Sequence, residues 1–377
     1  MEKTKYYNLS DVNISLVIGM AGSGKQRCYI EPILKDLNNE CCIVIDSRRV
    51  LYEKYKNQLI EKGYDVKILD IENPDSNTYN PFDYLNTDND CIELAHSIIK
   101  NTTNKNEDYF YKEGPEVLLT AFISYIHMEY NGTNKHNFSE VNNLCLLAHN
   151  HFDIVKDRFN NLRKTNPDCL AVIKFDTLLS ACKGKILNNI IIELAVKLSI
   201  FNIPNVNNTL LTSDKNIDIK SLLDTKTVVF LKISLNDLTY DFIHNIFLMQ
   251  VFDMLGNNNP KKLRIILDEF QRLNLSFDTH MFLQLCYIID KYNNASCLKI
   301  DFIIQSISQI KHGAYYDLLI QGNNAIICLG VIGQEDFFFF NKLANINVSN
   351  LKIEELLVIK KNGFKVSTDK YKKVHIV

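Results

Sequence analysis

"LVIGMAGSGKQRCYI" (residues 16–30) runs from an apolar stretch into a glycine-rich turn and on towards a helix. Seven of the eight positions of the phosphate-cradling pattern G-x-x-x-x-G-K-[ST] are filled, by Gly19, Met20, Ala21, Gly22, Ser23, Gly24 and Lys25. In that pattern the loop's backbone N–H groups and the following helix N-terminus surround phosphate oxygens, while the lysine reaches the β and γ positions. The eighth position belongs to a Ser or Thr hydroxyl that holds magnesium, and here it is Gln26. The stretch predicts a site for ATP with Mg²⁺, with Gln26 standing where the hydroxyl is lost.

Outward from the loop, strand and helix signals alternate: "ISLVIG", a helix over 25–37, "CCIVID", a helix through "RRVLYEKYKNQLIEKG", and "DVKILDI". Alternation of this kind implies parallel strands joined by crossover helices. The turn "NPDSNTYNPFDYL" breaks it, and over 88–211 apolar residues recur at helical spacing with almost no strand signal. "GPEVLLTAFISYIHMEY" is the clearest helix there, with Pro115 expected in its first turn. Strand signals return at "TKTVVFLKIS", "LRIILDEF", "KIDFIIQS" and "NAIICLG", separated by helices and followed by the helix "QEDFFFFNKLA". The reading is an α/β fold with a mainly parallel sheet over 1–87 and 212–377, interrupted by an all-α insertion over 88–211. Phe337 to Phe340 are expected on a short helix buried on most sides.

"LRIILDEF" is the second chemical element. Ile265, Ile266 and Leu267 form a buried strand that ends in two carboxylates, Asp268 and Glu269. Placed beside the loop, Asp268 can hold magnesium through its water shell and Glu269 can polarise an attacking water. A net charge of −2 over 377 residues gives no global attraction to polyanions, so nucleic-acid contact would need a local patch. Lys156, Arg158, Arg163 and Lys164 in "KDRFNNLRK" are the DNA-contact candidates, set against the plainer reading of a solvated face. The ten cysteines include no C-x-x-C pair and read as small core residues of a reduced protein. His149 and His151 are expected on the surface rather than at a metal. No apolar run approaches the roughly 18 to 20 residues that span a bilayer, which predicts a soluble chain.

Set in order, "VIGMAGSGKQRCYIEPIL", "IVIDSRRVLYEKYK", "LDEFQRLN" and "IIQSISQIKHG" resemble the TraG-type coupling proteins of conjugation and type IV secretion, over nearly the whole chain. The resemblance implies a RecA-like P-loop NTPase core with an inserted all-α domain, and a hexameric ring that delivers DNA or a relaxase-DNA complex to the channel. It also implies a γ-phosphate-sensing role for Gln305 and a cytoplasmic place at the inner membrane face, reached through an N-terminal anchor or a partner.

Three positions depart from the family. Gln26 replaces the hydroxyl, and losing one stabiliser of developing charge commonly costs about two to three orders of magnitude in rate. Asn294 stands near the place of an arginine that reaches a neighbour's γ-phosphate, worth about 10³-fold or more, with Lys291 as a substitute. The family's "DPK" becomes Asp46, Ser47 and Arg48. Two functions stay open on these residues: a coupling ATPase with weakened hydrolysis, and a nucleotide-binding scaffold or adaptor of the same machinery that does not hydrolyse.

Overall fold

The apolar run ahead of the glycine turn, Ile14–Ile18, is a strand with every residue buried. It shows no polar alternation because a central strand of a parallel sheet is covered by helices on both faces. The computed structural model describes residues 6–9, 12–102, 110–234, 239–269, 279–292, 296–311, 315–321, 325–330, 333–344, 348, 351–362, 365–371 and 373–375.

Numbered along the chain, the first elements are β1 (Tyr6–Asn8), β2 (Ile14–Ile18), α1 (Glu31–Asp36), β3 (Cys41–Ile45), α2 (Val50–Glu61) and β4 (Asp65–Leu69). A π-helical turn, Gln26–Ile30, leads into α1. Then come α3 (Asp88–Thr102), α4 (Phe110–Tyr130), α5 (Phe138–Asn150), α6 (Phe152–Thr165), α7 (Leu170–Ala181), α8 (Lys185–Leu198) and α9 (Pro204–Thr209). The chain continues with α10 (Ser221–Asp224), β5 (Thr227–Leu231), α11 (Asp241–Asn257), β6 (Leu263–Asp268), α12 (Thr279–Tyr292) and β7 (Leu298–Ile304). It closes with α13 (Tyr315–Gln321), β8 (Ala325–Leu329), α14 (Gln334–Ala344), β9 (Leu356–Asn362), β10 (Lys365–Tyr371) and β11 (Lys373–His375).

Chain contacts divide the protein into two units, Met1–Ile68 with Asp218–Val377, and Leu69–Ile217. In the first, nine strands form one sheet in the order β10-β9-β8-β2-β7-β6-β3-β5-β4. β8, β2, β7, β6, β3 and β5 pair in parallel, and β9 and β10 add antiparallel pairings at one edge. Side-chain parity then sorts the chemistry. Val17, Cys42, Val44, Ile266, Ile303 and Ile327 share a core with Tyr29, Ile33, Leu34, Tyr52, Tyr55 and Leu59 of the helical turn, α1 and α2. Asp268 and Asp46 have the parity of Ile266 and Val44, so both acids point to the side on which α1 and α2 lie.

That face also buries charge. Arg264, fully buried, donates to Asp301 at 2.8 Å, and the same carboxylate accepts Ser15 Oγ at 2.6 Å and the Tyr29 hydroxyl at 2.8 Å. The network ties β6, β7 and β2 to the turn that follows the loop. All ten cysteines are free, seven of them buried.

In the second unit the described residues from 88 to 211 form helices and turns. Phe159 and Phe175 stack with ring centroids 4.0 Å apart, and Phe138 stacks on Phe201 at 4.5 Å. Asn137 caps α5 by accepting the Glu140 N–H at 3.1 Å. Pro115 is not in the first turn of its helix: α4 begins at Phe110 and carries the proline inside. Gly114 explains the tolerance of a weak point there, since a Cβ on it would lie 2.8 Å from Ile190 of α8, and the close helix approach supplies packing that backbone bonding loses. The phenylalanine run also differs from expectation. Phe340 is fully buried, while Phe338 is 61% exposed on the opposite side of α14.

Candidate nucleotide site

β2 ends at Ile18 opposite Ile304 of β7, and the Gly19 N–H donates to the Ile304 carbonyl at 3.2 Å. The glycine loop therefore starts at the C-terminal edge of the sheet, between β7 and β8, where the chain order of neighbouring strands switches. Gly22 and Gly24 take left-handed φ angles of 78° and 97°, which a side chain would strain. Gly19 is required for a different reason: a Cβ there would lie 2.6 Å from Ser23 Oγ and 2.7 Å from the Leu329 carbonyl. Ser23 is buried, and its hydroxyl has no hydrogen-bond partner among the described residues. A cradle closed to side chains, with an unsatisfied buried hydroxyl inside it, fits a phosphate group.

Lys25 folds back over this loop, donating to the carbonyls of Gly19 and of Met20, the latter at 3.0 Å. Burial lowers its pKa, and the charges of Asp268 and Glu269 oppose that effect. Asp268, at the end of β6, is pushed up to about 6, first by burial, against the attraction of Lys25 and with added repulsion from Glu269. Glu269 has left the strand: its φ is 54°, and its N–H donates to the Asp268 carboxylate at 3.0 Å. A non-glycine residue in this region of backbone space is strained, a condition that concentrates at functional sites. One lysine and two carboxylates from separate elements thus meet electrostatically beside the loop.

Gln26 points along the helix. Its amide donates to Glu31 Oε1 at 3.3 Å, and Glu31 in turn accepts Lys54 at 2.7 Å and Tyr55 at 2.9 Å. Burial pushes the Glu31 carboxyl up, but the bonds from Lys54 and Tyr55 outweigh it and leave the pKa below the ordinary value. Asp46 is occupied as well, accepting the Tyr52 N–H at 2.8 Å at the start of α2. For magnesium, Asp268 is a suitable carboxylate, while the hydroxyl position is held by an amide engaged elsewhere.

Gln305 follows β7, half-buried, and its N–H donates to the Gln309 side chain at 2.8 Å. Lys291 donates to the carbonyls of Leu255 and Gly256 at 3.2 and 3.1 Å and so closes the end of α11. Asn294 lies outside the described residues. In the helical unit, Lys156, Arg163 and Lys164 share one side of α6, whereas Arg158 is about 200° away from Lys156 at 100° per residue. Arg163 is committed to Asp176 of α7 through two bonds. Lys164 donates to Asn161 at 3.1 Å and lines an open groove of about 770 Å³ with Asp157, Asn160, Asn161 and Arg163. His149 and His151 are exposed at the end of α5 and just past it. Sequence reasoning did not point to Arg27, Glu31 or Glu354. Glu31 lies one helical turn beyond the loop and could have been found; Glu354 has no local signal.

A mainly parallel sheet with a glycine-rich loop at its switch point and an all-α unit inserted in the chain defines the RecA-like class. The chain belongs to the type IV secretory system conjugative DNA transfer family, whose model matches residues 1–343. No curated protein matches the sequence. Among solved structures, the plasmid coupling protein TrwB in complex with the non-hydrolysable GTP analogue GDPNP is 15% identical, with a TM-score of 0.66 over 98% of this chain and 89% of that one. TrwB in complex with ADP and Mg²⁺ matches with the same identity and TM-score over 99% and 90%. VirB4 of Thermoanaerobacter pseudethanolicus is 13% identical, with a TM-score of 0.54 over 96% and 89%. At these identities the likeness is one of fold. No helix among the described residues is long and apolar enough to cross a membrane.

Proposed function

We propose that this chain is a nucleotide-binding coupling protein that recruits DNA or a relaxase-DNA complex to a conjugative type IV secretion channel, with slow ATP hydrolysis. The observation that carries the reading is the convergence of Lys25, Asp268 and Glu269 beside a loop closed to side chains. In this reading residues 19–25 hold the phosphates of ATP, and TrwB, solved with ADP and Mg²⁺, is the structural precedent. Asp268 would hold Mg²⁺ through water, and the ion when bound would neutralise phosphate charge. Glu269 is assigned to polarising water and Gln305 to sensing the γ-phosphate. Residues 88–211 are the all-α domain, whose Lys156, Arg158, Arg163 and Lys164 are the candidate DNA contacts. The working form is a homo-oligomeric ring at the inner face of the cell membrane.

The second reading, a scaffold that binds nucleotide without hydrolysing it, is favoured by one feature. The Gln26 amide is bound to Glu31. Magnesium-dependent ATP turnover of the purified chain, with and without DNA, tests both. Slow DNA-stimulated turnover supports the first reading, and nucleotide binding with no turnover supports the second. DNA-stimulated turnover at about 1 per second or faster would overturn the weakened-hydrolysis assignment.

A further inference from the structure

The turn that leads into β9 lies against the phosphate loop. The Glu354 N–H donates to the Ser23 carbonyl at 3.3 Å, and its carboxylate pairs with Arg27 at 2.8 Å. A Cβ on Gly24 would sit 3.1 Å from Glu354 Cγ. Glu354 adopts a left-handed φ of 66°, so the turn holds this side chain in place at an energetic cost. The preceding Ile353 is 59% exposed, an apolar side chain standing in solvent next to a polar loop. Arg27 itself is two residues past Lys25, on the helical turn that follows the loop.

We propose that Arg27, Ile353 and Glu354 form the nucleoside side of the site, with the Glu354 carboxylate accepting ribose hydroxyls and Ile353 covering a face of the base. The assignment rests on the nucleotide reading of the loop. A bare carboxylate beside a polyphosphate is repulsive, but Arg27 neutralises this one and leaves it lone pairs free to accept. The hydroxyl donors that a nucleotide offers next to its phosphates are those of the ribose, and a carboxylate is the acceptor used for them in dinucleotide folds. The Arg27 guanidinium, paired with Glu354 two residues past Lys25, would add a cation beside the phosphates.

Calorimetric titration with ADP, 2′,3′-dideoxyadenosine diphosphate and inorganic pyrophosphate tests this on the unmodified chain, Glu354→Gln and Ile353→Ser. Both variants keep the main-chain bond to Ser23. The unmodified chain should prefer ADP to the dideoxy compound about tenfold, as for hydrogen bonds to a charged acceptor. Glu354→Gln should remove most of that preference without weakening pyrophosphate, since it leaves the Arg27 cation unpaired. Ile353→Ser should weaken both nucleotides about fivefold, again sparing pyrophosphate. Equal affinity of the unmodified chain for ADP and its dideoxy form overturns the assignment, and so does a preference for ADP that survives in full in Glu354→Gln. Binding of ADP and pyrophosphate with no effect of either variant sinks the nucleoside assignment alone. If neither compound binds at millimolar concentration, the loop reading fails with it.

Discussion

Gln26 shows how a single side chain alters a site whose backbone is intact. Gly22 and Gly24 hold left-handed φ angles and Lys25 lies over the loop, so the proposed phosphate cradle is built without residue 26. What changes is the group offered to the metal: an amide on a longer stem, drawn towards Glu31. Gln26→Thr places a hydroxyl at the length this loop accommodates and should raise magnesium-dependent turnover at least tenfold, measured by phosphate release. An unchanged rate would place the limit elsewhere, in the arginine-equivalent position. Much of this was legible from residue order alone. The glycine spacing marked the loop and the apolar run marked a strand ending in Asp268, but the side to which Asp268 points came only from the folded sheet, because a strand apolar on both faces carries no parity. Glu354 was not legible, because it reaches Gly24 across more than three hundred residues and only the folded sheet edge brings them together. Arg163 was read as a free cation; its tie to Asp176 comes from helix packing that periodicity does not reveal.

At the scale of elements, central strands read plainly because they are apolar on both faces, while β9 and β10 were missed. "LLVIKKN" and "KVSTDKY" mix apolar residues with lysines, as suits the sheet margin they occupy. The buried Arg264 on β6 was hidden inside an apolar run for the opposite reason: its partners, Asp301 on β7 and Glu40 just before β3, are distant in sequence. Arg264→Met would remove the cation bonded to buried Asp301 and leave Glu40 only Lys299 at 3.8 Å, and should cost about 3–5 kcal/mol of unfolding free energy by urea titration. A loss under about 1 kcal/mol would show that the buried ion pair adds little net stability over an apolar side chain. In the helical unit, His127 Nδ1 and His136 Nε2 lie 3.0 Å apart, and burial, then His127, push the His136 pKa down to about 4. A histidine with a depressed folded pKa binds fewer protons folded than unfolded. Stability should therefore be full above about pH 6.5 and fall as pH drops towards 4, by at most about 1.4 kcal/mol per pH unit. His136→Gln should flatten that slope between pH 6.5 and 4.5; an unchanged slope would assign it to other groups.

For the molecule as a whole, charge limits how the proposed DNA partner could be held. With a net charge of −2 the protein has no long-range pull on a polyanion, and affinity must come from a few local cations. On the candidate face of α6, Lys156 and Lys164 are exposed, Asp157 lies between them in sequence, and Arg163 is already paired with Asp176. The face offers little more than one net positive charge per copy. Its contribution to the salt dependence of binding should accordingly be small, about one to two units in the slope of log affinity against log salt concentration. Replacing Lys156 and Lys164 together by Gln should weaken binding to a random-sequence duplex and reduce the slope by that amount, in fluorescence anisotropy across a salt series. Arg158→Gln, on the other side of the helix, tests whether the contact extends there and should have the smaller effect on both. An equal effect of Arg158→Gln would extend the contact to both sides of the helix, and no effect of any of the three substitutions would make α6 a solvated face with the DNA contact elsewhere. If the pair also lowers DNA-stimulated ATP turnover without changing the unstimulated rate, the effect of DNA on the nucleotide site passes through the helical unit.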